Sequence, residues 1–300
     1  MLDVCLPGTG GMMPLPERWL SCCWIEYQGK ALLVDCGEGT QIALKKAGCK
    51  LSRLDILLVT HFHADHIAGL PGLLLTLGNH DKKTPLLIVG PQHLEAVVSS
   101  LMIIAPALPY PVELIELKNG TEGLLEDDEL SVSYLPLEHG IPCFGYRVSL
   151  RRKPVFNPEK AGQLGVPKNL FKTLHAGTPV RLDDGRQIEP RMVLDGERRP
   201  LSVTYITDSV PTAPMADFAR DSDLLVCEGM YGETEMRDKM EEKGHMVFAD
   251  SARLASMAGA GRLWLTHFSP AMKDPETYIG NARAVFRNTE IGYDGIKTTL

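Results

Sequence analysis

Nowhere in its 300 residues does the chain carry an apolar run approaching the roughly 18 residues that a membrane-spanning helix requires. The opening stretch, MLDVCLPGTGGMM, lacks the basic start and long apolar segment of a secretory signal. The expectation is a cytoplasmic protein with no membrane partner. Paired CxxC spacing is missing too. The seven cysteines, at positions 5, 22, 23, 36, 49, 143 and 227, are odd in number. In a cytoplasmic chain they read as reduced, mostly buried thiols. There is no internal repeat and no low-complexity run. A formal charge of −7 argues against indiscriminate nucleic-acid binding while leaving room for a local basic patch. What is present is an ordinary globular composition, 44% hydrophobic, enough for one large two-layered domain or two ordinary ones.

The pattern along the chain alternates short β-like runs with helical ones. CCWIEYQGKALLVDCG reads as a hairpin turning at Gln28-Gly29, and TQIALKKAG as a short helix stopped by Gly48. LDILLVTH and PLLIVGP are continuous apolar runs that suit buried strands. A helix is expected in GLPGLLLTLGNH and another in PQHLEAVVSSLMIIA. LSVSYLPLEHG and CFGYRVSL alternate like neighbouring strands. LSVTYITDS, LLVCEGM and RLWLTHFS are strands separated by helical runs, and a single final strand closes the chain. Hairpins in each half with βα units between them predict an α/β protein with two sheets and helices on the outer faces.

One segment breaks this order. Between Arg151 and Arg199 eleven Lys and Arg stand against six acids, a net +5 that leaves −12 on the rest of the chain. Six prolines between Pro154 and Pro200 interrupt any sustained periodicity. So long a stretch between strands predicts a protruding functional insertion, at about 151–199, in a single domain covering 1–300. Its charge suits a polyanion, although solvated charge alone is the plainer reading.

The chemistry concentrates in LLVTHFHADHIAGLPG, where His61, His63, Asp65 and His66 crowd the end of an apolar strand. Imidazoles and a carboxylate at this spacing converge as ligands for Zn²⁺ or a similar divalent ion, which also requires the imidazoles neutral. His139, Asp208 and His267 each cap another β-like run and together bring the donors to the number a dinuclear site needs. His80, His93 and His175 have no such context.

THFHADH with the later His, Asp and His resembles the metallo-β-lactamase superfamily. LPGTGGMMPLPER, DCGEGTQ, HADHIAGLPGLL, FGYRV and LTHFS resemble its ribonuclease Z branch, over nearly the whole chain. The resemblance implies an αβ/βα sandwich with metals at one edge and endonucleolytic trimming of precursor tRNA on its 3′ side. It implies two divalent ions, Zn²⁺: one held by His61, His63 and His139, the other by Asp65, His66 and His267, with Asp208 bridging. Asp65 would also orient the nucleophilic water. Glu228 and His245 match a pair in which His245 gives a proton to the leaving oxygen and Glu228 orients it. Asp35 and Glu38 would brace the metal loop, and the Gly8-Thr9-Gly10 turn would bring backbone close to it. Arg18, Lys168 and Lys172 are candidate substrate contacts, the latter two in a tRNA-gripping arm that carries Pro167-Lys168-Asn169 in place of the family's Gly-Pro pair. A homodimer is also implied. The alternatives are a related phosphodiesterase or lactonase-like hydrolase of a small or cyclic ester, and a non-catalytic RNA-binding protein.

Overall fold

The structure, a computed structural model, describes residues 1–105, 107–126 and 129–300. Two seven-stranded sheets face each other. In the first the strand order is Ile296–Thr299, Asp3–Gly8, Cys22–Tyr27, Lys30–Val34, Leu54–Leu58, Leu86–Pro91, Val112–Leu117. In the second it is Thr289–Ile291, Leu263–Thr266, Leu224–Glu228, Arg198–Ile206, Pro142–Arg152, Leu130–Glu138, Gly123–Glu126. The four strands from Lys30–Val34 to Val112–Leu117 run parallel, and so do the four from Thr289–Ile291 to Arg198–Ile206; the other pairings are antiparallel.

Alternation along each strand builds the layers, because successive side chains point to opposite faces. Leu32 and Val34 join a core between the sheets, while Ala31 and Leu33 face outward. In the second sheet Leu224, Val226 and Trp264 point inward, and Leu225, Cys227, Leu263 and Leu265 outward. Helices cover both outer faces. Helix Leu70–Asn79 buries Leu70, Leu73, Leu74 and Leu77, the i, i+3, i+4, i+7 spacing of one helical stripe, and carries Pro71 in its first turn where no N–H is needed. Helix Phe248–Ala258 lays Phe248, Ala252 and Ala255 on the second sheet, where the small alanines allow close approach. Each large aliphatic side chain buried this way contributes roughly 1.5–3 kcal/mol. The result is the helix–sheet–sheet–helix layering expected from the sequence.

The hairpin turns at Gln28 (φ 48°) and Gly29 (φ 84°), the double left-handed geometry of a type I′ turn. Gly48 ends helix Thr40–Lys46 at φ 71°. Two differences from expectation lie at the sheet edges. Strands Val112–Leu117 and Gly123–Glu126 were not anticipated, although VELIEL alternates. The chain ends in two strands rather than one: Thr289–Ile291 completes the second sheet, then Ile296–Thr299 pairs with Asp3–Gly8 in the first. That pairing links the chain's two ends through register, which local sequence does not encode.

Residues 153–197 form structure of their own. Strands Pro142–Arg152 and Arg198–Ile206 pair with Arg152 opposite Arg198. Between them lie helices Pro158–Gln163 and Phe171–His175 and two short ribbons, Val155–Phe156 with Leu194–Asp195 and Val180–Arg181 with Gln187–Ile188. Ala161, Val166, Leu174, Val180, Ile188 and Val193 make a separate hydrophobic cluster.

Candidate metal centre

The loops that follow the strands' ends meet at one edge of the sandwich. Strand Leu54–Leu58 delivers His61, Arg198–Ile206 delivers Asp208, Leu263–Thr266 delivers His267, and Leu130–Glu138 delivers His139. Three of these four strands are parallel, and crevices at the carboxyl ends of parallel strands are where open α/β sheets bind ligands. Asp208 (φ 56°) and His267 (φ 58°) turn through the left-handed region there, as does Asp35 (φ 63°). Asp and His tolerate that conformation better than most residues, and three such residues at one edge mark a site held in shape by its surroundings.

All seven proposed ligands converge. His61 Nε2 and His139 Nε2 each lie 3.1 Å from His63 Nδ1. His66 Nε2 lies 3.3 Å from His267 Nε2 and 3.4 Å from Asp65 Oδ2. Asp208 serves both groups, with Oδ1 3.5 Å from His139 Nε2 and Oδ2 3.2 Å from His66 Nε2 and 3.3 Å from His267 Nε2. His61, His66, Asp208 and His267 are almost fully enclosed.

The groups behind the ring nitrogens fix which nitrogen faces the centre. His66 Nδ1 donates to Asp35 Oδ2 at 2.8 Å, and His139 Nδ1 to the Gly244 carbonyl at 2.9 Å. Thr60 gives its hydroxyl to Asp35, so its oxygen accepts from His61 Nδ1 at 2.9 Å. In its neutral form each of these three histidines therefore turns Nε2 inward as the free, metal-ligating nitrogen. Lone pairs 3.1–3.5 Å apart repel unless a shared cation sits among them. A tetrahedral Zn²⁺ with bonds of about 2.0–2.1 Å would set its donors about 3.3 Å apart. The donor set, its spacing and its outer partners fit a divalent metal.

Electrostatics agree. Burial and the neighbouring imidazoles push the His61 ring below the usual histidine range. Burial opposes charge on Asp65 and Asp208, yet the facing histidines hold both carboxyls well below the ordinary aspartate range. Burial likewise opposes protonation of His66, but Asp208 and Asp35 draw it well upward. This is a nest of carboxylates looking for positive charge, which a metal supplies.

Asp35 is buried and takes both the Thr60 N–H (2.8 Å) and hydroxyl, the bracing role expected of it; Glu38 is exposed. Burial raises the Asp35 carboxyl, partly offset by His66 and Thr60. The expected Gly8-Thr9-Gly10 turn is instead the end of strand Asp3–Gly8 followed by bridges from Gly10 to Leu20 and Phe268, and it is the next two residues that reach the site. The Met12 N–H donates to Asp65 Oδ2 at 2.7 Å, and Gly11 packs on the His267 ring, where a Cβ would lie 2.8 Å from Cε1. Gly37 and Gly69 let two loops touch backbone to backbone: a Cβ on Gly69 would lie 1.9 Å from the Gly37 carbonyl oxygen.

Glu228 and His245 meet beside the cluster. His245 Nδ1 donates to Glu228 Oε2 at 2.9 Å, and Glu228 Oε1 accepts the Ser209 N–H at 2.7 Å, next to Asp208. The His245 ring stacks 5.7 Å from that of His267. Burial opposes its protonation, but Glu228, with Asp208 and Asp65, pushes the imidazole up to about 9. With Nδ1 committed, Nε2 is the nitrogen left for the cleft. That cleft is a cavity of about 700 Å³ lined by Asp65, His139, Asp208, His245 and His267, with Met12 and Met230 among its apolar walls.

Other candidates do not join the cluster. Arg18 gives its guanidinium to the carbonyls of Met272 (3.0 Å) and Lys273 (3.3 Å) and lies over Phe268. Lys168 and Lys172 are exposed, four residues apart on the short helices of segment 153–197. Of the context-free histidines, His80 and His175 bond backbone carbonyls and His93 sits at a helix start. Sequence reasoning missed Thr60, Ser209, Gly11 and the Gly244 carbonyl. Only Thr60, adjoining the histidine motif, carried a local signal.

Comparison with known proteins defines first the class. The fold matches the metallo-β-lactamase fold protein YhfI from Bacillus subtilis (TM-score 0.70, 20% identity, all of both chains). It also matches human tRNase Z, short form (TM-score 0.71, 25% identity, 99% of this chain and 98% of the other). Residues 2–102 match the family described as anti-Pycsar protein Apyc1. In sequence the chain is 47% identical to ribonuclease Z of Lachnospira eligens over 98% of this chain and 96% of that protein. It is 45% identical to ribonuclease Z of Clostridium kluyveri over 98% and 97%. The chain belongs to the ribonuclease Z family.

Proposed function

We propose that this chain cleaves precursor tRNA on its 3′ side, using two Zn²⁺ ions at the histidine–aspartate edge. As a member of its family it is a metal-dependent endoribonuclease. The observation that carries the reading is the split of seven donors into two groups joined by the two oxygens of Asp208. His61, His63 and His139 would hold one ion, and Asp65, His66 and His267 the other. When bound, the ions lower the pKa of water and offset the negative charge of the phosphate.

The chain's own groups do the rest. Asp65, anchored by the Met12 N–H, orients the attacking water. His245 carries a proton toward the cleft on Nε2 and releases it to the departing 3′-oxygen as the P–O bond breaks. Glu228, fully buried and held by the Ser209 N–H, keeps that ring in place and favours its charged form. Segment 153–197 is an arm inserted in a single domain of residues 1–300. Its separate hydrophobic cluster supports a module that extends Lys168 and Lys172 toward tRNA phosphates far from the scissile bond. A cytoplasmic location and a homodimer complete the proposal, and both rest on the family resemblance alone. Among the described residues no helix is long and apolar enough to cross a membrane.

The test is purified protein assayed on a precursor tRNA beside a small phosphodiester. Cleavage of the tRNA at one position supports the reading. Turnover of the small ester alone would transfer the protein to the small-ester class.

A further inference from the structure

Between its last two strands, Thr289–Ile291 and Ile296–Thr299, the chain crosses from the second sheet to the first through residues 292–295. The crossing is pinned to both sheets: the Gly292 N–H donates to the Leu265 carbonyl at 2.8 Å and the Gly295 N–H to the Leu6 carbonyl at 2.7 Å. Between these anchors Asp294 turns its carboxylate onto a distant loop. Oδ1 accepts the Thr9 hydroxyl at 2.9 Å, and Oδ2 accepts the Trp19 N–H at 2.6 Å. Nothing in the hydrolytic chemistry described above uses this acid. We propose that Asp294 is a positioning residue. By clamping the base of loop 10–18 it sets that loop against Asp65 and His267, and so governs the affinity of the ion those two residues share.

The inference rests on the two-ion reading above and on an unbroken path of hydrogen bonds. Thr9 and Trp19 are the two ends of the loop, for the Thr9 and Gly10 N–H groups both donate to the Trp19 carbonyl, at 3.0 and 2.8 Å. Asp294 therefore closes the loop where it begins and ends. The Thr9 carbonyl accepts the Phe268 N–H and the Phe268 carbonyl accepts the Gly11 N–H, both at 2.9 Å, which fixes the loop beside His267. One residue further on, the Met12 N–H reaches Asp65 Oδ2 at 2.7 Å. Three residues thus carry the clamp to both ligands.

Met12 shows why a clamp is needed. Its φ is 66°, a left-handed backbone that a side chain other than glycine keeps only where its surroundings impose it. Asp294 holds the chain on one side of Met12. On the other, Arg18 holds it to the carbonyls of Met272 and Lys273, just past His267.

A carboxylate suits this place. Two donors meet two oxygens, and an acid accepts at both where an amide accepts at one. Thr9 is buried, so its hydroxyl must find an acceptor inside the protein. Burial raises the Asp294 carboxyl, and the Trp19 and Thr9 donors and the Arg18 charge offset part of that rise.

The competing reading is that Asp294 merely fastens the last strand to the first. The same strand pair is also fastened by the Thr299 hydroxyl, which donates to Asp3 Oδ1 at the other end of the pairing. Thr299→Val is therefore the control for a purely structural loss.

The experiment titrates the full-length protein with Zn²⁺ against a chromophoric chelator, and measures kcat and KM on a small phosphodiester. Asp294→Asn should weaken one of the two ions by about 10–100-fold, the range for disturbing a group that orients a ligand, and leave the other nearly unchanged. Its kcat should fall with little change in KM. Thr9→Val should act in the same direction more mildly. The double variant should be no worse than Asp294→Asn alone, because both changes break one link. Thr299→Val should spare both ions. Should Asp294→Asn fail to fold, Thr9→Val decides by the same selective loss. Two ions bound as tightly in the variants as in the wild type, equal losses at both ions, or the same loss in Thr299→Val would overturn the positioning role and leave the two-ion reading standing. A wild type that binds a single ion overturns the two-ion reading and this inference with it.

Discussion

His245 Nδ1 donates a hydrogen bond to the fully buried Glu228 Oε2 at 2.9 Å, which leaves the ring's other nitrogen for the cleft. A proton carried there matters only when the leaving oxygen needs it. His245→Ala should therefore slow precursor-tRNA cleavage by about 10²–10⁴-fold, while hydrolysis of an activated aryl phosphodiester falls far less. Glu228→Gln should show the same asymmetry in milder form. Equal losses on both substrates would make His245 a phosphate binder.

Asp65 takes the Met12 N–H and faces His66 and His267 through the same oxygen. Asp65→Ala should abolish hydrolysis of every substrate. The fold should persist, because Asp65 lies at the open edge, outside the three large hydrophobic layers. Near-native circular dichroism with no turnover is the expected result; full activity would remove Asp65 from the mechanism.

Metal analysis of carefully prepared protein should find close to two ions per chain, with Asp208→Ala losing at least one. Chelation should abolish activity and lower the melting temperature. At free metal one hundred times Kd, each site bound only by the folded state adds about 2.7 kcal/mol. A single ion in the wild type, with activity intact, would exclude the shared-aspartate arrangement.

Gly11 has a negative φ, so its requirement is space. An alanine Cβ would stand 2.8 Å from His267 Cε1, while the Gly11 N–H is held by Phe268 at 2.9 Å. The imidazole must yield. Gly11→Ala should weaken metal binding or activity by about 10–100-fold, the range for disturbing a group that orients a ligand. Unchanged affinity and rate would show that the loop shifts freely.

Arg152 and Arg198 are opposite one another in a strand pair, so a short glycine linker can replace residues 154–197 without opening the sheet. The shortened protein should hydrolyse a small phosphodiester at near wild-type rate. Its precursor-tRNA affinity should fall, and each lost phosphate contact should flatten the salt dependence by about one unit of slope. Gel-shift titrations at several salt concentrations measure both. Unchanged affinity and slope would strip the segment of a tRNA-binding role.

The sequence alone determined the layered architecture and the meeting of His61, His63, Asp65 and His66. Those signals are local: period-two alternation, the glycine turns, and four donors within six residues. His139, Asp208 and His267 were legible only as polar caps on apolar runs and through the family's pattern, since nothing in a strand's end says which other ends it will meet. Tertiary structure brought Asp208 between the two donor groups and set Glu228 against His245, 17 residues away. It also decided what no motif announces. Arg18, free to meet a phosphate on paper, is tied to the carbonyls of Met272 and Lys273, more than 250 residues distant. After Thr289–Ile291 the chain leaves the second sheet, and strand Ile296–Thr299 becomes the edge strand of the first. These outcomes depend on sheet register and on backbones packed through glycine, which arise from long-range pairing and are not written in any window of the chain.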